Sequence, residues 1–144
     1  MRLFDSKYNV YYYAAAWMVA IVATIGSLFY SEVMNYIPCS LCWYQRIFMY
    51  PLVIFLGLAT FYNESIIKKY ILSVSIPGGL IALYHVGLQK IPAMKKIEPC
   101  KQGVPCSTDY VDYLGFITIP VMSLTAFCLI TILIFFVKTS KEND

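Results

Sequence analysis

Charge is scarce in this sequence. Asp, Glu, Lys and Arg together make up 13% of its 144 residues, and there is one histidine. A soluble domain carries about twice that share of charge, so an ordinary water-facing fold is excluded. The basic residues, eleven against eight acidic ones, are scattered over loops and termini. They make no continuous basic patch, which excludes a nucleic-acid partner. Internal repeats, low-complexity tracts and a separate soluble domain are missing too. No small-residue cleavage site follows the first apolar run, so that run is expected to stay in place as a membrane span.

Apolar and aromatic residues are abundant: 60% of the chain is hydrophobic, 17% is aromatic with thirteen tyrosines, and the mean hydropathy is +0.67. Four apolar runs, roughly 11–30, 43–62, 70–89 and 116–137, approach the ~20 residues that cross a bilayer as a helix. Tyr11, Tyr12, Tyr13 and Trp17 at one end of the first run, and Phe29 and Tyr30 at the other, read as interface belts. The second run is too short unless its helix begins near Trp43, which would put Cys42 and Arg46 at the bilayer surface. Pro51 should bend that helix. Pro77-Gly78-Gly79 predicts a kink or a close helix contact in the third span, and Pro120 is tolerated in the first turn of the fourth.

The expected fold is therefore an all-α integral membrane protein, a single domain (1–144) built as a bundle of four transmembrane helices. Its termini share one side, and two cysteine-bearing loops share the other. The lysine and arginine bias between the sides is slight. Paired thiols suit an oxidising compartment, so the loops are expected outside the cytoplasm and the termini inside. Ile91, Met94 and Ile97 recur at helical spacing beside Lys95 and Lys96, which allows either a short surface helix or an irregular anchored loop.

Five cysteines stand at 39, 42, 100, 106 and 128. Cys39-Ser-Leu-Cys42 places two thiols one helical turn apart, with Arg46 one further turn on, roughly 6 Å along the axis from Cys42. A helix N-terminus and a guanidinium both favour a thiolate. Such a spacing serves a redox dithiol, a structural staple or a metal site; Arg46 and the membrane-surface position favour redox chemistry. Cys100-Lys-Gln-Gly-Val-Pro-Cys106 is a second pair, whose Gly103 and Pro105 favour a turn. Taken alone it reads as a loop staple; taken with the first pair it suggests a relay of disulfides. Zinc held by the four thiols competes with this reading, although neither loop contains a histidine. His85, near the end of the third span, is either a functional group or an interfacial side chain bonded to a neighbouring helix. Tyr44 and Gln45 flank the arginine with no assigned chemistry. Cys128, inside the fourth span, reads as an inert packing residue.

Pro38-Cys39-Ser-Leu-Cys42-Trp-Tyr-Gln-Arg46 resembles the DsbB family of disulfide bond formation proteins. The likeness runs over the whole chain through Tyr84-His85, Glu98-Pro99-Cys100, Gly103-Val-Pro-Cys106 and Leu114-Gly-Phe-Ile-Thr-Ile-Pro120. It is closer to the Gram-positive, BdbC-like branch. The resemblance implies a protein-disulfide oxidoreductase of the bacterial cell membrane that reoxidises a thioredoxin-like thiol oxidase (DsbA- or BdbD-like) and passes the electrons to a membrane quinone. Cys100 would then form the mixed disulfide with the partner, Cys106 would attack Cys39, and Cys42 would be freed to form a charge-transfer or covalent adduct with the quinone. Arg46 would hold a quinone carbonyl, with His85 a lesser contact. The Gram-positive affinity points to menaquinone rather than ubiquinone. Gln45 stands where the Gram-negative branch commonly has an acidic residue, and the second pair is shorter than in that branch. Two alternatives remain open: a quinone or quinone-epoxide reductase of the vitamin K epoxide reductase type, and a non-enzymatic scaffold stapled by disulfides.

Overall fold

The computed structural model describes residues 2–62, 65–98, 103, 105–106, 114–115 and 117–138; Cys100 and Phe116 lie outside them. Helix α1 runs Arg2–Leu28 and continues as a π-turn over Phe29–Val33. Helix α2 is Ser40–Tyr62, α3 is Ser65–Lys90 and α4 is Ile119–Phe136. All four are long and apolar enough to cross a membrane. Helix α2 begins at Ser40, three residues ahead of the position needed to complete a span. Pro51 and Pro77 both lie inside helices that remain continuous, as apolar packing from neighbouring helices allows.

The bundle has four corners: α1 and α3 each pack against both α2 and α4. Its inner seams use small residues, with Ala16, Ala20, Ala59 and Ala82 fully buried, because close approach of backbones replaces the hydrophobic drive that lipid does not supply. Large apolar side chains such as Ile54, Phe61, Leu80 and Phe135 point outward, the arrangement expected of a lipid-facing surface. Cys128 is on that outward surface of α4 rather than in the packed interior.

Two aromatic expectations are corrected here. Tyr13 is 1% exposed and sits in the core, while Trp17 lies over Gly57 of α2, its Nε1 3.3 Å from where a Cβ would stand. Tyr11 remains outward, consistent with a belt. The run Tyr11-Tyr12-Tyr13 turns through 200° of helix, so its members cannot all face the interface.

Polar bonds fasten the ends. At one end, the Asn9 side-chain amide donates to the Lys138 carbonyl at 2.9 Å, and the Lys138 backbone N–H donates back to Asn9 Oδ1. Lys68 Nζ at the head of α3 donates to the Phe135 and Val137 carbonyls at the tail of α4, satisfying carbonyls that a helix end leaves unpaired. In the middle, the Ser75 and Thr131 hydroxyls meet at 2.7 Å and join α3 to α4. At the opposite end, Thr118, the N-cap of α4, donates to Gln89 Oε1 on α3 at 2.9 Å. The loops bearing Cys39 and Cys106 both lie at this second end. The connection after α3 carries a short 3-10 helix, Pro92–Ile97, which answers the choice between surface helix and irregular loop in favour of a helix.

Candidate functional site

The site is assembled from the head of α2. The Cys39 carbonyl accepts the first helical bond, from Trp43 N–H at 3.1 Å, so Cys39 is the N-cap and Cys42 the third helical residue. An N-cap side chain naturally reaches that third residue, and the two sulfurs lie 3.0 Å apart as free thiols. Antiparallel α3 brings the far end of its own helix to the same level, so buried His85 approaches from the side, its Nε2 3.7 Å from Cys39 Sγ. The hydrogen bond from the Cys42 thiol, with the His85 imidazole beside it, holds the Cys39 thiol far below the ordinary thiol range, at about 4, against the opposing effect of burial. Cys39, beside the Cys42 thiol and the imidazole, is thus a second thiol inclined to ionise, next to the Cys42 that the helix and the arginine favour from the sequence.

Arg46 reaches across to α1. Its Nε donates to Ser27 Oγ at 2.9 Å and its Nη2 to the Ser27 carbonyl at 3.0 Å, while the guanidinium lies 5.5 Å from the Trp43 ring centre. Ser27 sits on α1 just before the π-turn, and nothing in its sequence neighbourhood separates it from a packing serine. A Ser27→Ala variant will lose one of the two bonds that aim the guanidinium, and the expected result is a severalfold rise in KM for a carbonyl-bearing substrate bound at Arg46 with little change in kcat. An unchanged KM would show that Arg46 needs no such anchor.

Gln45 was given no chemistry by the sequence, yet it is 6% exposed and its Nε2 lies 2.9 Å from His85 Nδ1. A glutamine inside an apolar run is costly in lipid unless bonded, and that was the available signal. On its other side, His85 Nε2 donates to the Cys106 carbonyl at 3.0 Å. Cys106 is disulfide-bonded and 1% exposed, and it shares a buried cluster with Cys39, Leu41 and Leu88. Gly103, in the same loop, takes a positive φ of 84°, the turn geometry that a glycine supplies freely. The predicted residues Cys39, Cys42, Arg46, His85 and Cys106 are brought to one end of the bundle; Cys100 lies outside the described residues.

Beside the dithiol lies a cavity of about 790 Å³, large enough for a substituted aromatic ring and part of an apolar tail. Cys42, Gln45, Arg46 and His85 line its polar end. Its walls are apolar and include outward-facing Val22 and Ile25 on α1 and Met122 and Leu129 on α4, so the cavity reaches the lipid-facing side between these two helices. A flat ring bearing carbonyls fits this lining, with the remaining Arg46 N–H groups as hydrogen-bond donors and the chain outside in the apolar groove. The Cys39, Cys42 and His85 ligand atoms also lie within 4.8 Å of one another, a set that a soft divalent ion can use once both thiols are free.

Comparison with known proteins agrees with this geometry. Residues 9–137 match the family described as "Disulfide bond formation protein DsbB". The chain is 48% identical to "Disulfide bond formation protein C" of Bacillus subtilis, over 95% of this chain and 99% of that protein. It is 42% identical to "Probable disulfide formation protein C 1" of Bacillus cereus, over 94% and 97%. It is 46% identical to "Probable disulfide formation protein" of Oceanobacillus iheyensis, over 81% of each. No solved structure matches the chain.

Proposed function

Since the chain belongs to the DsbB family of disulfide bond formation proteins, we propose that this multi-pass membrane protein is a quinone-dependent thiol oxidase that reoxidises a thioredoxin-like oxidant outside the cytoplasm. Its termini then lie in the cytoplasm and its cysteine loops on the outer face of the bacterial membrane. The observation that carries the reading is the single imidazole of His85, which contacts Cys39 Sγ and the Cys106 backbone together.

The exchange runs through sulfur alone. A thiolate of the reduced partner attacks Cys100 of the Cys100–Cys106 disulfide, and Cys106 leaves as a thiolate. The partner's second thiolate releases it as a disulfide and frees Cys100. Cys106 then attacks Cys39 of an oxidised Cys39–Cys42 pair, and Cys42 leaves carrying the negative charge. Attack by Cys100 on Cys106 restores the loop disulfide and leaves Cys39 and Cys42 reduced, so two electrons and two protons have moved from partner to first pair. With Cys39 held in the bond to Cys106, the charge brought by the Cys106 thiolate rests on Cys42 at the cavity wall. A quinone bound there, menaquinone in a Gram-positive setting, supplies the two-electron acceptor.

Purified protein in lipid nanodiscs, mixed with a reduced thioredoxin-like dithiol and a soluble menaquinone analogue, tests this. One dithiol should be oxidised per quinone reduced, with no turnover when quinone is omitted. Equal turnover without quinone overturns the acceptor; no partner oxidation in either case overturns the oxidase.

A further inference from the structure

His85 is placed between two loops that the sequence keeps far apart, and its two ring nitrogens have unlike partners. The Cys106 carbonyl can only accept, so Nε2 must carry a hydrogen. In the neutral ring, Nδ1 is then an acceptor, and it lies 2.9 Å from the Gln45 amide, whose N–H supplies the matching donor. Both side chains are buried, at 1% and 6% exposure, where an unmatched polar atom is costly. We propose that Gln45 and His85 form a docking post that holds Cys106 of the third loop against Cys39, with Gln45 the positioning residue that keeps the imidazole's donor nitrogen aimed at the Cys106 carbonyl. The proposal rests on the sulfur relay above and assigns a role to a residue which that relay does not itself require.

An amide suits this position for a chemical reason. Its N–H is the donor that an acceptor Nδ1 requires, which leaves the ring hydrogen on Nε2 for Cys106. A leucine at 45 offers Nδ1 nothing. A glutamate can only accept, so it retains the proton on Nδ1 and leaves Nε2 bare whenever the ring is neutral. The groups around the imidazole are Cys39 and Cys42 at the head of α2, Arg46 one turn deeper, and Cys106 in its disulfide; Tyr30, Tyr36 and Tyr50 share the cavity lining. From α4 comes the uncharged Thr118. A second contact closes the post from above: Met94 of the 3-10 helix packs on the Cys39–Cys106 cluster, its Sδ 3.0 Å from where a Cβ on Gly87 would stand. The post therefore works with an apolar cover, and Cys106 is held from both sides.

The test uses full-length protein carrying Cys42→Ser and Cys100→Ser, so that Cys39 and Cys106 are the loop thiols left. A diazene oxidant converts the two thiols to a disulfide and is itself reduced to the hydrazine, and the rate of Cys39–Cys106 bond formation is followed by mass spectrometry. The expected result is rapid bonding in this parent and about tenfold slower bonding on adding Gln45→Leu, the size expected for one lost buried hydrogen bond. With Gln45→Glu, whose carboxylate draws the ring hydrogen to Nδ1 and leaves Nε2 bare, bonding is slowed likewise. Because His85 is the only histidine, its ¹⁵N spectrum reads the tautomer directly: Nε2–H in the parent, a mixture in Gln45→Leu. Parent-like rates and an unchanged tautomer in Gln45→Leu overturn the post, and should that variant not fold, a parent-like rate with Nε2–H retained in Gln45→Glu does so. Failure of the parent to form the bond overturns the relay instead, and the tautomer spectrum then decides the post by itself.

Discussion

A Cys42→Ser variant will lose quinone-dependent oxidation of the partner by at least about three orders of magnitude, as loss of a covalent nucleophile does elsewhere. The reason lies in the division of labour at the head of α2. Cys39 is 6% exposed and shares its cluster with Cys106, so it faces the incoming sulfur. Cys42 lines the cavity, as Cys39 also does, and in the proposed relay it is the thiol left with the charge once Cys39 is bonded to Cys106. A serine hydroxyl neither forms the disulfide that Cys106 must attack nor carries a thiolate's charge near neutral pH. In the variant Cys39 can only exchange with the loop disulfide, attacking Cys106 while Cys100 leaves as a thiolate, and the resulting Cys39–Cys106 disulfide should be visible by mass spectrometry. Cys128→Ser is the matched control, since Cys128 is exposed on the outer face of α4 and its loss should leave turnover unchanged. A Cys42→Ser protein retaining a tenth of normal turnover would remove Cys42 from the electron path.

The largest expected effect on stability is at Gly78. A Cβ there would stand 2.5 Å from Phe127 Cε1, 2.7 Å from its Cζ and 3.0 Å from Phe48 Cβ. Phe127 is fully buried and cannot swing aside, and the Cβ of Phe48 is tied to its backbone. Gly78→Ala should therefore destabilise the bundle by about 1–3 kcal/mol through overpacking, despite alanine's better helix propensity. Its neighbour provides the comparison: a Cβ on Gly79 meets only Phe127 Cβ at 3.5 Å, an ordinary contact. Gly79→Ala should be neutral or stabilising by up to about 1 kcal/mol, the helix preference for alanine over glycine. Adding Phe127→Leu to Gly78→Ala should recover part of the loss, a coupling that identifies the clash as the cause. Thermal unfolding in detergent reads all three. Equal midpoints for the two alanine variants would show that α2, α3 and α4 do not meet closely at Gly78.

Much of this was legible in the chain because lipid makes the pattern coarse. Four apolar runs require four spanning helices, since unpaired backbone is not tolerated in hydrocarbon. An even number of spans between the cysteine loops puts both loops at one end, and there the structure has Cys39 and Cys106. Pro77-Gly78-Gly79 announced the contact found at Gly78. The misplaced residues share a cause: Tyr13, Trp17 and Cys128 were assigned by residue type, while their environment depends on helix rotation, which hydrophobicity cannot report when both inner and outer faces are apolar.

The sequence by itself determined that this is a four-span membrane helix protein with a Cys39-x-x-Cys42 dithiol at a helix head. It also supplied the likeness to a disulfide-forming family that the comparisons bear out. Tertiary structure alone decided which groups meet the sulfurs. Local spacing ties Cys42 to Arg46, but packing of α1 gives Arg46 to Ser27, and packing of α3 gives Cys39 to His85. It also brings Gln45 to His85 across forty residues. Those partners are non-local, set by which helix faces meet, and no period or motif within one segment encodes them.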